Sequence, residues 1–445
     1  MRNSSAADDT FLIFGSPLIE QAEIDEVVAC MESSWLGTGP RVARFERDFA
    51  AYQGLQPSRV AAVNSCTAAL HVSMVAANLE PGSEVITTPM TFCASVNAII
   101  HAGLTPVLAD VDPATQNIDP AAIEAAITPR TRAILPVHFA GRACEMDAIM
   151  AIANKHDLMV IEDCAHAIET MYHGRKAGTF GDFGCFSFYA TKNVVTGEGG
   201  MITGRDEARI ARAKVLALHG MSKDAWHRFG DQGYKHYQVV EAGFKYNMMD
   251  LQAAIGIHQL ARVERNWQRR EVVWRRYMEA FKDLPIGLPA PIRGNSLRAE
   301  GDGDDLSLPQ EGGLRGVRFS SGAPASPRRY AATPFVPKGA SIAAPDTRHA
   351  CHLFTVMIDE PRSGISRDAF LDAMNKRRIG TGVHYLTVPE HPYYQQRYGW
   401  QPEQWPNAML LGRQTVSLPL SPKLTDAEVE RVITATRRTL CVADR

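Results

Sequence analysis

The sequence predicts an α/β fold built on a mostly parallel sheet, followed by a smaller α+β C-terminal domain. Three observations carry this. From Arg59 to about Met201, short apolar runs alternate with helical stretches, the pattern of parallel strands joined by helices that cover both faces. Within that stretch, Leu158–Ile161 stops at Glu162-Asp163, and Phe186–Tyr189 leads to Lys192. In open α/β sheets the carboxyl ends of strands are where ligands sit. Finally, from about residue 342 the chain resumes with a strand (His352–Ile358), a helix (Ser366–Arg377), a Gly382-Val383-His384-Tyr385 turn and a C-terminal helix (Asp426–Leu440).

Taken in order, residues 1–10 are polar and read as frayed. Pro17 opens a helical pattern with Ile24, Val27, Val28 and Met31 on one face. Two glycines and a proline make Trp35–Pro40 a loop, whose Trp35 either packs or lines a pocket. A second helix carries Val42, Phe45, Phe49 and Tyr52 on its inner side. Candidate strands are Val60–Val63, Glu84–Thr87, Thr105–Ala109, Ala133–Val137, Leu158–Ile161 and Phe186–Tyr189. Helical stretches between them include Ala68–Ala77, Ala94–His101 and Asp119–Ile127.

Asn64–Leu70 joins a strand to a helix with small residues, which leave backbone N–H groups free for an anion; a plain capped helix start reads as well. Phe92 by itself reads as core, and His138 as a buried, hydrogen-bonded histidine. Residues 205–218 read as a helix, and His219–Glu241 as a mobile excursion without period. One long helix, Asp250–Phe281, links the large domain (1–250) to the small one (342–445) through residues 251–292. Between them, 293–341 is rich in Gly, Pro, Ser, Asp and Arg, and is read as a flexible insertion, because it cannot bury enough apolar surface to offset its ordering entropy.

Composition bounds the function. At 445 residues, 45% hydrophobic and 22% charged, the chain reads as an ordinary globular protein with a large core. A net charge of −2 gives no sign of a nucleic-acid surface. The eight cysteines form no CxxC pair, which points to thiols in a reducing compartment and to no metal site. The first residues have no signal-type apolar core and no run is long enough to span a membrane, so a cytoplasmic protein is expected.

The pairing of Asp163 with Lys192 suits pyridoxal 5′-phosphate. That cofactor needs a lysine for its Schiff base and a carboxylate facing its pyridine nitrogen. An acid at one strand end, or a lysine in one loop, means little alone. The combined string is more specific. Glu162-Asp163-Cys164-Ala165-His166-Ala167, Gly181–Phe188, Lys192-Asn193 and Gly197-Glu198-Gly199-Gly200 resemble the DegT/StrS family of sugar aminotransferases, fold-type I pyridoxal-phosphate enzymes.

The resemblance covers nearly the whole chain apart from the first residues and 293–341. It implies a mostly parallel seven-stranded central sheet. It makes Lys192 the Schiff-base lysine and Asp163 the partner of the ring nitrogen. His166 would lie near the cofactor's phenolic oxygen, and Phe92 would stack on the ring. Ser187, Thr67 and Ala68 would bind the phosphate. Trp35, His384 and Tyr385 would face the substrate. The family's usual Gly-Tyr-Asn-x-Arg is altered here to Phe244-Lys245-Tyr246-Asn247. Asn247, with Lys245 as second choice, would reach the phosphate of a neighbouring subunit, making a homodimer with composite sites. These departures, with Ala165-His166, resemble the subgroup that forms 4-amino-4-deoxy-arabinose.

The function so implied is amination of a nucleotide-linked keto sugar, at C4, with L-glutamate as donor. Two alternatives use the same fold. Dehydratase relatives replace the lysine by histidine, and a non-catalytic regulator would not need Lys192, Asp163 and Ser187 intact.

Overall fold

The structure, a computed structural model, describes residues 10–221, 238–290 and 347–441. The segment read as an insertion and most of the 219–241 excursion lie outside them. The central sheet opens with β1 (Val60–Val63), β2 (Glu84–Thr87), β3 (Thr105–Leu108), β4 (Thr131–Leu135) and β5 (Met159–Asp163). A small hairpin, β6 (Met171–Tyr172) with β7 (Arg175–Lys176), stands apart from it. β8 (Phe183–Ser187) and β9 (Gly200–Gly204) complete seven strands in the order β1-β9-β8-β5-β4-β2-β3. β9 runs antiparallel to both neighbours, and the other pairings are parallel.

The sheet is covered on both faces, and period-two alternation shows how. In β5, Met159 and Ile161 enter one core with Val72, Phe183 and Leu216, while Val160 enters another with Ile86, Ile134 and Ile149. The covering helices of this part are α1 (Gln21–Glu32), α2 (Pro40–Gln53), α3 (Cys66–Ala77), α4 (Cys93–His101), α5 (Pro120–Ala125), α6 (Met146–Lys155) and α7 (Glu207–Ala217). Their starts are locally encoded. Ser65, Asp119 and Asp206 cap α3, α5 and α7 with side-chain oxygens, and Pro120 opens α5.

α8 (Asp250–Ala261) and α9 (Val263–Phe281) follow. The single long helix expected there is in fact two, separated at Arg262, whose φ of −114° and ψ of 14° leave the helical region. Beyond them, β10 (Phe354–Met357) pairs antiparallel with β11 (Thr415–Leu418). Around this pair lie α10 (Glu360–Ser363), α11 (Arg367–Lys376), α12 (Pro392–Tyr398), α13 (Pro406–Gln414) and α14 (Asp426–Cys441). Trp274, Tyr277 and Phe281 of α9 join Phe354, Phe370, Val416 and Val429 in a separate apolar core.

Three further expectations are corrected. The strand placed at Phe186–Tyr189 begins at Phe183, and the glycine-rich loop ends at Gly199, because Gly200–Gly204 is strand β9. Glycine disguises both strands, and packing explains it. A Cβ on Gly184 would lie 2.4 Å from the Gly178 Cα, and one on Gly200 would lie 2.5 Å from the Ser65 carbonyl carbon. The apolar face of α1 does not point inward. Ile24, Val28 and Met31 are exposed, and the helix buries Glu23 and Cys30 instead. Glu23 turns toward Gln259 and Arg262 of the α8 region, with which it pairs.

Candidate active site

The carboxyl ends of β5 and β8 bring the acid and the lysine together. Asp163 ends β5 and is buried. Its Oδ1 accepts from the Ala165 N–H at 3.0 Å, and its Oδ2 from the Ser95 hydroxyl at 2.8 Å. Thr91 backs Ser95 at 2.8 Å. Burial pushes the carboxyl up from its ordinary value, and these two donors and the charge of Lys192 pull it back. Lys192 follows β8, with its N–H held by the Tyr189 carbonyl at 2.8 Å. Desolvation pushes its amine down to about 8, against the attraction of Cys66 and Asp163.

His166 is buried beside this pair. Its Nδ1 accepts from the Ala140 N–H at 3.2 Å, so in the neutral ring the proton sits on Nε2 and points to the Tyr385 hydroxyl, 3.0 Å away. Burial, and then the nearby Lys192 charge, hold His166 well below the usual histidine range. Tyr385 is left with its own O–H to donate. His384 bonds Ser417 at 2.8 Å through Nδ1, and burial lowers it to about 4. His384 and Tyr385 follow Gly382, which bridges Ser417 of β11, and Tyr385 reaches the cluster through His166.

Phe92 is 58% exposed, its ring 6.0 Å from that of Tyr385, so it is a free aromatic face and not core. Thr67 is exposed at the start of α3, and Ser187 is half-buried at the end of β8. Ala68 differs from the reading in one respect: its N–H is already spent on the Ser65 cap at 3.1 Å. Trp35 and Asn247 both bond Thr38. Trp35 Nε1 donates to the Thr38 carbonyl at 3.1 Å, and Asn247 Nδ2 to the Thr38 hydroxyl at 2.6 Å. The Asn247 Oδ1 is buried without a partner among the described residues, and Lys245 is exposed.

Sequence reasoning missed Ser95, Asn193, Glu169, Arg270 and His352. Asn193 stands in a motif string that gives it no role, and the other four are unremarkable in theirs. Only the fold sets Ser95 on Asp163, and Asn193 between Glu169 and His352. His138 is buried as expected, bonded to Cys144 N–H at 3.1 Å and to Glu162 at 3.0 Å. His138, Glu162 and Cys164 are close enough to hold an ion. Glu162, however, already accepts the N–H groups of Gly178, Phe180 and Gly181.

This set has the chemistry pyridoxal phosphate needs: a buried carboxylate with lone pairs to spare, a lysine with a lowered pKa and an open aromatic face. A hydroxyl and a helix N-terminus stand ready for a phosphate. Gly200 strengthens the fit, since the absence of a Cβ lets β9 run against the first residues of α3.

The model of the DegT/DnrJ/EryC1/StrS aminotransferase family matches residues 17–299 and 334–437. The unmatched stretch lies within the segment read as an insertion. The chain is 44% identical to the spore coat polysaccharide biosynthesis protein SpsC of Bacillus subtilis, over 98% of each chain. It is 40% identical to an uncharacterized protein of Methanocaldococcus jannaschii, over 97% of this chain and 98% of that one. A putative sugar aminotransferase from Streptococcus pneumoniae, solved in PLP form, is 28% identical with a TM-score of 0.78, covering 97% of this chain and 99% of that one. The same protein has been solved in a PMP form. With the family model spanning most of its length, the chain belongs to the DegT/DnrJ/EryC1/StrS aminotransferase family, whose members are pyridoxal-phosphate-dependent sugar aminotransferases.

Proposed function

We propose that this aminotransferase converts a nucleotide-linked keto sugar to an amino sugar at C4, with L-glutamate as the amino donor. The observation that carries the reading is the convergence of Asp163, Lys192, His166 and Tyr385 at the carboxyl ends of β5 and β8. Pyridoxal phosphate, bound there, supplies an electron-poor ring that stabilises charge on the carbon bearing the amine. Asp163 keeps the ring nitrogen protonated, because an opposite charge in a desolvated site favours the charged form. Lys192 binds the cofactor. Its amine would serve as the base for the donor's α-carbon proton and as the acid that returns one in the sugar half-reaction. The lowered pKa of Lys192 suits this, since an amine near 8 keeps far more of its neutral, proton-accepting form at neutral pH than an ordinary lysine does.

His166 donates to the Tyr385 oxygen and so aims the tyrosine O–H into the site, toward the cofactor's phenolic oxygen or the sugar. Phe92 offers the stacking face. Ser187, Thr67 and the free N–H groups of α3 offer phosphate donors. Trp35 and His384 bound the substrate side. The lean to C4 rests on Ala165-His166 and on Lys245-Tyr246-Asn247. The relative named for spore coat polysaccharide biosynthesis supports a sugar acceptor.

We read residues 1–250 as the cofactor-binding unit and 342–445 as the small domain, joined by 251–292, and the two separate cores support this. We read the assembly as a homodimer. Ile24, Val28 and Met31 of α1, which packs on α8, are exposed, as are Leu36 and Met249 near Asn247, apolar surface of the kind that marks an interface. The unpaired thiols agree with a cytoplasmic setting.

The test is turnover of L-glutamate with a panel of nucleotide keto sugars, read by mass spectrometry. Amination of a 4-keto sugar is expected. Borohydride should fix the cofactor to Lys192, and Lys192→Ala should be inactive. Fixation to another lysine, or turnover only of free sugars, would overturn the reading.

A further inference from the structure

One polar chain, buried at Glu169, Arg270 and His352 and half-buried at Asn193, runs beside the lysine and is not used by the mechanism above. Asn193 is its centre. The side-chain Nδ2 donates to Glu169 at 2.8 Å and to the Ala350 carbonyl at 3.2 Å. Its Oδ1 lies 2.9 Å from His352 Nδ1. An amide oxygen only accepts, so His352 carries its proton on Nδ1 and donates. Glu169 is fully buried and is paired on its other oxygen with Arg270 of α9, itself 1% exposed. The His352 ring in turn lies 4.5 Å from the His166 ring. One amide therefore ties together the turn after β5, helix α9, the lysine loop and the segment entering β10.

We infer that His352 is a positioning residue for Lys192, acting through the Asn193 side chain, with Glu169 and Arg270 anchoring the same amide from the other side. The physical argument is one of cost. Burying an ion pair is expensive unless its partners are met: Glu169 is met by Arg270 and Asn193, while Nε and Nη1 of Arg270 have no hydrogen-bond partner among the described residues, so the bond from Asn193 matters more. Both Nδ2 hydrogens of Asn193 and one lone pair of its Oδ1 are taken, three bonds that hold the side chain and restrict the backbone it leaves from. Lys192 is the adjacent residue, so the direction in which its side chain leaves the loop is set there. The groups facing Lys192 are Cys66 and Asp163, which favour its charge, and His166, His352 and His384, whose own charging it opposes. A loosened loop would let the amine reach solvent.

The inference rests on Lys192 being the cofactor lysine, which borohydride trapping decides separately. Its test begins in the cofactor-free protein. Competitive acetylation across pH, mapped by mass spectrometry, measures the titration midpoint of Lys192. His352→Phe keeps a ring against His166 but removes the donor to Asn193, while His352→Gln can restore a donor. In His352→Phe the midpoint should rise by at least about half a pH unit, toward the ordinary lysine value. In the holoenzyme kcat should fall about tenfold to a hundredfold, the scale of a misplacement near 1 Å, with little change in KM for the donor. His352→Gln should recover part of both. An unchanged midpoint, or equal losses in Phe and Gln that follow thermal stability alone, would overturn the inference. If His352→Phe does not fold, Asn193→Ala carries the same expectation for the midpoint.

Discussion

At the scale of single residues, Asp163 and Lys192 favour each other's charged form in a way that can be measured. Asp163 is one of two groups that favour the charged form of Lys192, whose midpoint lies near 8. Asp163→Asn removes that support while leaving the volume unchanged. The neutral amine is then favoured further, so the midpoint should fall below its native value, opposite in sign to the effect of His352→Phe. Transamination should drop by about two to four powers of ten, since breaking a buried charge pair costs about 3–5 kcal/mol. Acetylation against pH and single-turnover rates check the two effects. A near-native rate would remove Asp163 from the site. The roles of these two residues were visible as a pair at two strand ends. Ser95 was not, because a serine in the first turn of a helix reads as a cap until the fold turns its hydroxyl to Asp163 at 2.8 Å.

At the scale of elements, β9 and the start of α3 form one contact. Gly200 sits where a Cβ would lie 2.5 Å from both the carbonyl carbon and oxygen of Ser65 and 2.8 Å from Cys66 N. These are backbone atoms and cannot swing aside. Gly200→Ala should therefore push α3 away, costing about 1–3 kcal/mol as overpacking does and weakening cofactor affinity. Gly37, with nothing within 4 Å of an added Cβ, is the control, and Gly37→Ala should be near neutral. Cofactor titration and thermal unfolding compare them. The same glycines are why β9 escaped sequence reading. Strand recognition relies on β-branched and aromatic side chains, and close packing excludes them at the two ends of β9. α1 misled in the other direction. Its periodic apolar face is real, yet it is turned away from the core because Glu23 meets Gln259 and Arg262.

At the scale of the whole molecule, that outward face becomes informative. Charging it with Ile24→Glu and Met31→Glu should leave the subunit folded and separate the proposed homodimer, as read by light scattering. Loss of folding with the dimer intact would place the face inside a subunit. Composite sites make a second claim. A Lys192→Ala subunit mixed with an Asn247→Ala subunit should regain activity at low cofactor, because one site of the mixed dimer carries neither lesion. Verified exchange without recovery would mean that each site is built from one chain, and Asn247 would remain the local partner of Thr38 that it is within the subunit.

The sequence by itself determined the alternation of strand and helix, the two strand ends that present Asp163 and Lys192, and the family. Those features are local: apolar runs, caps and short strings whose meaning survives without neighbours. Only the tertiary structure decided which face of α1 is buried, that Gly200–Gly204 is a strand, and that the helix after Asp250 breaks at Arg262. It also decided that Glu169, Asn193, His352 and Arg270 share one polar network. The reason is distance along the chain. Asn193 and His352 lie 159 residues apart, and Arg270 and Glu169 lie 101 apart. No periodicity connects positions so separated, because what brings them together is the packing of one core on another.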